Sequence, residues 1–377
     1  MKKNQLLVNI FNTSSVSLLL PMKRKLALLP ILYHFIFSFS ILVVVVACGS
    51  SDAVMEEPEI VEDSSNNDTD DTGGATDDTG DDTDGTSNDD ENDDSGNDSD
   101  SSVPPSDNFD LSTWNISIPT DTDNSGTADT ISENDLNNGY EDPAYFYTAD
   151  DGGMVFKCPI EGFKTSVNTS YVRTELREML RAGNTSISTK GVNKNNWVFG
   201  SAPQSDIVAA GGYDGELKAT LAVNHVTTTG NSNQVGRVIV GQIHANDDEP
   251  VRLYYRKLPN NDLGSIYIAH EENADDEFWY EIIGSRSSSA ANPSDGIALD
   301  EKFSYTIKVI RNDMWVTISR EGKEDVEQYV DMTTSGYDVG GQYMYFKAGV
   351  YNQNNTGDAT DYVQATFYSL SNTHTTN

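Results

Sequence analysis

Basic residues are scarce in this chain. Its 377 residues include 24 Lys and Arg against 60 Asp and Glu, a formal net charge of −36. Phosphate binding needs a basic face, so nucleic acid is not expected as a partner. Cysteine is scarcer still. Cys48 and Cys158 are the only two, and if Cys48 carries lipid Cys158 has no partner, so no disulfide framework is expected. Cys158 sits in the apolar run Met154–Pro159 and reads as a buried structural thiol. Segments with a 3.6-residue apolar period are also few, and no internal repeat is present.

The charge is uneven, and it divides the chain into three parts. Residues 1–48 hold five basic residues and no acidic ones. Residues 49–108 hold 22 acidic residues and no Lys or Arg, which leaves 38 acidic and 19 basic residues for 109–377. Met22-Lys23-Arg24-Lys25 followed by an apolar run from Leu26 to Ala47 has the layout of a secretory signal, with Met22 as the expected start. The run ends Val45-Val46-Ala47-Cys48-Gly49, which resembles a bacterial lipobox. Cys48 is then the lipidated N-terminus of the mature chain. An uncleaved signal anchor is the alternative, since a run of about 20 apolar residues can span a bilayer. The polar tract that follows at once favours the lipoprotein. In that tract Leu, Ile, Val and aromatics all but vanish between Val61 and Val103. Such a segment cannot offset its ordering entropy by burial, and its self-repulsion extends it. Residues 49–108 are therefore expected to be a disordered acidic linker. Just beyond it, Asp121, Asp123 and Ser125 precede Gly126 with the oxygen spacing of a calcium loop. Position 12 would be Ser132 rather than a Glu, so an Asx-rich turn is the default and calcium the minor reading.

From Phe109 onward the pattern is all-β. Glu216–Val226, Gln234–Ile243, Val251–Tyr255, Ser265–His270, Phe278–Ile283, Phe303–Ile310, Met314–Arg320, Tyr343–Tyr351 and Tyr362–Leu370 are β-branched and aromatic, punctuated by Gly, Asn, Asp and Pro. A short helix is expected at Thr130–Leu136. Many short strands over one long domain point to an antiparallel sandwich or jelly roll. Strand alternation then collects polar residues on single faces. Arg173, Glu175 and Arg177 form one set and Gln242 and His244 a second. Tyr345, Lys347, Tyr351 and Gln353 form a third, with Phe346, Ala348 and Val350 turned to the core. Each set alone has a plain reading: a surface ion-pair ladder, a structural histidine, ordinary β-propensity. Together they make a cationic patch with a titratable base, an amide and a phenol on an acidic domain. That combination suggests an anionic ligand.

Arg173-Thr174-Glu175-Leu176-Arg177-Glu178, Gln242-Ile243-His244 and Tyr345-Phe346-Lys347-Ala348-Gly349-Val350-Tyr351-Asn352-Gln353 resemble the three signature blocks of the alginate lyases of polysaccharide lyase family 7, in the same order. Leu111–Pro119, Asp142–Tyr147 and Gly152–Pro159 are similar to the family's stretches ahead of the Arg block, so the resemblance covers 109–377. It implies an antiparallel β-jelly roll with a concave substrate groove, and cleavage of a 1,4-linked uronate polymer by β-elimination. It also implies Arg173 and Gln242 as groups that neutralise the substrate carboxylate. His244 or Tyr351 takes the C5 proton, and Tyr351 protonates the leaving oxygen at C4. Arg177, Lys347, Tyr345 and Gln353 are implied substrate contacts, and Glu175 one that orients the arginines. Ile243 between Gln242 and His244 is associated in the family with guluronate-containing blocks. No metal or organic cofactor is implied.

Three further readings stay open: a non-catalytic carbohydrate-binding jelly roll, a lyase on another polyuronate, and a jelly-roll glycoside hydrolase. The last would need two positioned carboxylates, and the Glu-x-Asp-x-x-Glu strand pattern of one such family is missing. Exo or endo action depends on loops, with Asn246–Pro250, Asn260–Asp262 and Ser285–Asp300 able to block a groove end. The expected partners are alginate or oligoalginate and, through Cys48, a membrane. The expected protein is a monomer anchored to the outer membrane, at the cell surface or the periplasmic face.

Overall fold

The computed structural model describes residues 103–376 apart from Asp247, Ala274 and Asp275. The expected signal, the lipidated Cys48 and the acidic tract up to residue 102 lie outside the described residues. Among the described residues, seventeen strands carry the fold. The first eight are β1 (Trp114–Ile118), β2 (Asp129–Ile131), β3 (Phe146–Thr148), β4 (Met154–Pro159), β5 (Arg173–Glu178), β6 (Trp197–Val198), β7 (Gly212–His225) and β8 (Arg237–His244). They are followed by β9 (Val251–Arg256), β10 (Leu263–Glu271), β11 (Glu277–Ile283), β12 (Ile297–Ala298), β13 (Phe303–Ile310), β14 (Asp313–Ser319), β15 (Val326–Asp331), β16 (Tyr345–Asn352) and β17 (Tyr362–Thr375). Three one- to two-turn helices complete the set: α1 (Pro105–Asn108), α2 (Glu133–Asn137) and α3 (Gln204–Ala209). Among the described residues no helix is long and apolar enough to cross a membrane.

The strands form two sheets. One runs β11-β10-β9-β8-β16-β5-β1-β2, with β12 beside β10. The other runs β15-β14-β13-β7-β17-β4-β3, with β6 beside β7. All pairings are antiparallel except β6 with β7. Neighbours far apart in sequence, such as β8-β16-β5, are the mark of a jelly roll. The sheets bury their facing sides against each other. Val172, Leu176, Val240, Ile243, Phe346, Ala348 and Val350 from one meet Phe156, Leu217, Phe303, Tyr305, Ile307 and Phe367 from the other. Alternation along β16 thus sends Phe346, Ala348 and Val350 inward, which leaves Tyr345, Lys347 and Tyr351 on the opposite side of the sheet.

Several boundaries differ from the expected ones. Thr130 belongs to β2, and the helix starts three residues later, at Glu133. Ser132 caps it by accepting from the Asp135 backbone N–H at 3.2 Å, so the chain cannot be helical before that point. β15 is absent from the expected strands because its burial alternates only at one edge of the sheet, where charged residues alternate with it. α1 and the buried Pro105 stand ahead of residue 109.

Two irregularities shape the middle of the first sheet. Against β16, the register of β8 shifts between Ala348 and Tyr351, and against β9 it shifts between Ile239 and Gly241. These bulges put both Ile239 and Gln242 on the outer side, though they are three residues apart. Gly349 has φ +140°, and a Cβ there would lie 2.7 Å from the Thr174 carbonyl oxygen. Only glycine lets β16 approach β5 this closely.

Candidate active site

Cross-strand register assembles the three polar sets on the outer face of one sheet. Lys347 pairs with Arg177 on one side and with Gln242 on the other. Gln242 in turn pairs with Arg252 of β9. Tyr351 is opposite Arg173, Gly349 opposite Glu175, and Tyr345 opposite His244. Residues directly across from each other are in side-chain contact range, so β5, β16 and β8 deliver these groups to one surface.

Glu175 is the hub. Its Oε2 receives Arg173 Nη1 at 3.2 Å and lies 3.6 Å from Lys347 Nζ. Its Oε1 accepts from Gln242 Nε2 at 2.5 Å. One buried carboxylate thereby fixes three groups from three strands, and two of them are cationic. The charge on Glu175 keeps those cations from repelling one another. Aromatic rings complete the surface. The Arg173 guanidinium lies 4.0 Å from the Tyr351 ring centroid. Tyr345 stacks on His244 with centroids 5.0 Å apart, and Arg177 lies 4.1 Å from the Tyr345 centroid. Arg177 also donates to the Thr189 carbonyl at 2.9 Å. Gln353 follows the end of β16. It is buried, and its backbone N–H donates to the Arg237 carbonyl at 3.2 Å.

The two titratable groups are pushed in opposite directions. Burial, helped by Lys347 and Arg173, lowers His244 to about 4 against the pull of Glu249. Burial raises the Tyr351 phenol to about 12, with Arg173 opposing and Glu249 and Glu175 assisting. At neutral pH the imidazole is an unprotonated acceptor and the phenol a protonated donor. His244 Nδ1 lies 2.7 Å from the Ala245 carbonyl oxygen. A carbonyl only accepts, so Nδ1 carries the ring proton and Nε2 the lone pair.

Sequence reasoning missed three contributors. Glu249 lies in the connection 246–250 that was read as a groove-blocking loop. It is buried, with Oε1 3.3 Å from His244 Nε2. Arg252 joins it and contacts Glu271 and Glu277. The Val251–Arg256 alternation was the available signal for Arg252. Beside Tyr351 an apolar floor forms from Tyr171, Ile239, Tyr254, Tyr267 and Ala269. Ile243 packs in the inter-sheet core.

The acidic loop is separate from this surface. Asp121, Asp123 and Asp129 bring carboxylate oxygens within 4.8 Å of one another. The loop's own donors meet them. Ser125 N–H donates to Asp123 at 2.9 Å, Gly126 N–H to Asp121 at 3.1 Å, and Thr120 Oγ1 to Asp129 at 2.6 Å. Ser125 is a donor to Asp121 through Oγ. The hydrogen bonding is that of an Asx turn.

A jelly roll that carries cations, an amide, a neutral imidazole and a phenol on one sheet face has the equipment of a polysaccharide lyase acting on an anionic polymer. Comparison with known proteins gives the particular family. The alginate lyase family profile matches residues 109–374. An alginate lyase from Klebsiella pneumoniae is 58% identical over 279 residues, which is 72% of this chain and 91% of that protein. The crystal structure of the alginate lyase from Klebsiella pneumoniae superposes with a TM-score of 0.71 at 57% identity, covering 72% of this chain and 98% of that one. Alginate lyase A1-II′, described as a member of polysaccharide lyase family 7, gives a TM-score of 0.52 at 27% identity, over 72% of this chain and 99% of its own. A variant of A1-II′ has been solved in complex with the substrate GGMG, at 27% identity and a TM-score of 0.53, over 73% of this chain and 98% of its own. This chain belongs to the alginate lyases of polysaccharide lyase family 7.

Proposed function

We propose that the protein cleaves alginate by β-elimination, with preference for guluronate-containing blocks. The observation that carries this reading is the opposed titration of His244 and Tyr351 on a face that also holds the Arg173–Glu175–Gln242 cluster. Alginate has one carboxylate per sugar, and the C5 proton beside it is only weakly acidic. Arg173 and Gln242 donate to that carboxylate and stabilise the enolate that develops when the proton leaves. His244 Nε2 accepts the C5 proton, and the electron pair of the C5–H bond delocalises into the carboxylate. It then forms the C4–C5 double bond as the C4–O bond breaks. Tyr351 gives its phenolic proton to the departing oxygen. A proton returned from His244 to Tyr351 through water restores the site.

The stereochemistry supports the preference. In guluronate the C5 proton and the C4 oxygen lie on opposite faces, so two separate groups suit the reaction. In mannuronate they share a face, and one group would serve as both acid and base. A phenol raised to about 12 stays protonated at neutral pH, so it has a proton to give and no free oxyanion to act as base, which favours the two-group arrangement. Ile243 offers no direct contact to a sugar, since it is in the core. Lipidation at Cys48 and the acidic tract would set the enzyme on an outer-membrane tether. Cys48→Ser should then release it from the membrane fraction.

Tyr351→Phe tests the mechanism. It should abolish the ultraviolet absorbance rise that marks the C4–C5 double bond, while polyguluronate binding persists. Full activity in that variant contradicts the mechanism.

A further inference from the structure

We infer that Glu249 is a positioning residue for His244, whose carboxylate receives the imidazolium formed when Nε2 takes the substrate proton. This rests on the proposed elimination. Glu249 is 2% exposed, and a carboxylate so far from water needs partners. Its backbone is fixed, with the Glu271 N–H donating to its carbonyl at 3.2 Å and Ala245 N–H closing the turn onto the Asp248 carbonyl at 2.8 Å. Its Oε1 is 3.3 Å from His244 Nε2, and its Oε2 is 3.8 Å from Arg252 Nη1.

The ring orientation makes this contact informative. With the ring proton held on Nδ1 by the Ala245 carbonyl, the unprotonated Nε2 of the neutral imidazole lies beside an anionic oxygen. That arrangement is unfavourable until a proton arrives. Once Nε2 is protonated the contact becomes a buried ion pair. Glu249 thus favours the state after proton transfer over the state before it, which is what lowers a barrier. It is also the largest influence opposing the burial that weakens His244 as a base, whereas Lys347 and Arg173 add to that weakening.

The charges around Glu249 leave it ionised. Burial opposes ionisation, but Arg252 and a hydrogen bond with the Glu271 carboxyl favour it, with Lys347 adding to them. Glu271 takes the opposite course. Burial and the adjacent Glu249 raise it to about 8 against Arg252, with Asp248 assisting, so it is protonated at neutral pH. Arg252 has Glu277 as a further anionic partner and does not depend on Glu249 alone for neutralisation.

The test is Glu249→Gln, which keeps the side chain's size and removes its charge. On polyguluronate, kcat should fall about 10-fold or more with KM nearly unchanged. The acid limb of the pH–rate profile should move to lower pH, because His244 loses the group that raises it. Nitrogen-15 NMR of the imidazole, assigned with His244→Asn, should show the same downward shift. Glu249→Asp keeps the charge and should recover part of the rate. If Glu249→Gln does not fold, Glu249→Asp carries the test with a smaller shift of the same sign. An unmoved acid limb together with an unmoved imidazole titration overturns the inference, and so does a loss confined to KM. If the wild-type chain fails to cleave alginate, the proposed function fails by itself. The NMR titration then still decides whether Glu249 governs His244.

Discussion

Replacing Glu175 with Gln would remove one negative charge from the centre of the site at almost constant volume. Arg173 Nη1 at 3.2 Å and Lys347 Nζ at 3.6 Å both face Oε2, and all three side chains are 6% exposed or less. Solvent screening is therefore small. At an effective dielectric of about 20, each attraction is roughly 5 kcal/mol before desolvation is counted. An amide cannot replace it. With its oxygen toward Gln242 it turns an NH₂ toward Arg173, and with its oxygen toward Arg173 it turns an NH₂ toward the Gln242 amide. Donor faces donor in both cases. Removing one partner of a buried ion pair costs about 3–5 kcal/mol, because the remaining charge is left uncompensated. For a domain of this size that is roughly 6–20 °C in Tm, at about 2–4 °C per kcal/mol. Activity should fall about 100-fold, since Arg173 and Gln242 lose the anchor that aims them. The loss should lie in kcat. KM should hold or decrease, because released cations still attract the substrate's carboxylates. Differential scanning calorimetry and initial rates from product absorbance read these quantities. A Tm within 2 °C of wild type, with wild-type kcat, refutes the view of Glu175 as the hub of the site.

Two other perturbations probe the frame around it. Gly349→Ala should destabilise by about 1–3 kcal/mol, because the new Cβ meets Thr174 O at 2.7 Å and Glu175 Cα at 2.9 Å. Urea unfolding measures it, and the rate should fall as β16 is pushed from β5. His374 on β17 reaches Glu178 at 2.7 Å in the core. Burial alone would lower the pKa of His374, but Glu178, the Asp214 carbonyl and Asp214 outweigh it and raise it above its ordinary 6.5. Its folded-state pKa thus exceeds its unfolded one. The stabilisation is full below pH 6.5 and is lost as pH rises through the higher folded value. Urea midpoints should decline across that window in the wild type, and the decline should be shallower in His374→Gln.

The strand-rich fold was legible because β-branched and aromatic runs alternate between turn residues. Tyr345–Gln353 is the clearest case: alternation alone separates Phe346, Ala348 and Val350 from Tyr345, Lys347 and Tyr351. It could not reveal which strands lie side by side, since β8, β16 and β5 meet across more than a hundred residues of chain. The groups missed fall outside that periodicity. Glu249 stands in an acidic, turn-like stretch whose composition reads as solvated, and only its burial against His244 and Arg252 gives it a role. Glu178 reads as one more charge in an Arg–Glu ladder. It shares the inward face of β5 with Leu176, which turns it to His374, a residue at the far end of the sequence. β15 was missed because an edge strand has one side to bury and can carry charge on the other.

The most direct test of the central claim is the mass of the products released from polyguluronate by the purified chain. Elimination transfers no water, so every new non-reducing end should be an unsaturated uronate, lighter by one water than a hydrolytic end. Oligomers carrying the added water, or a polymer that is bound but left intact, would contradict the account.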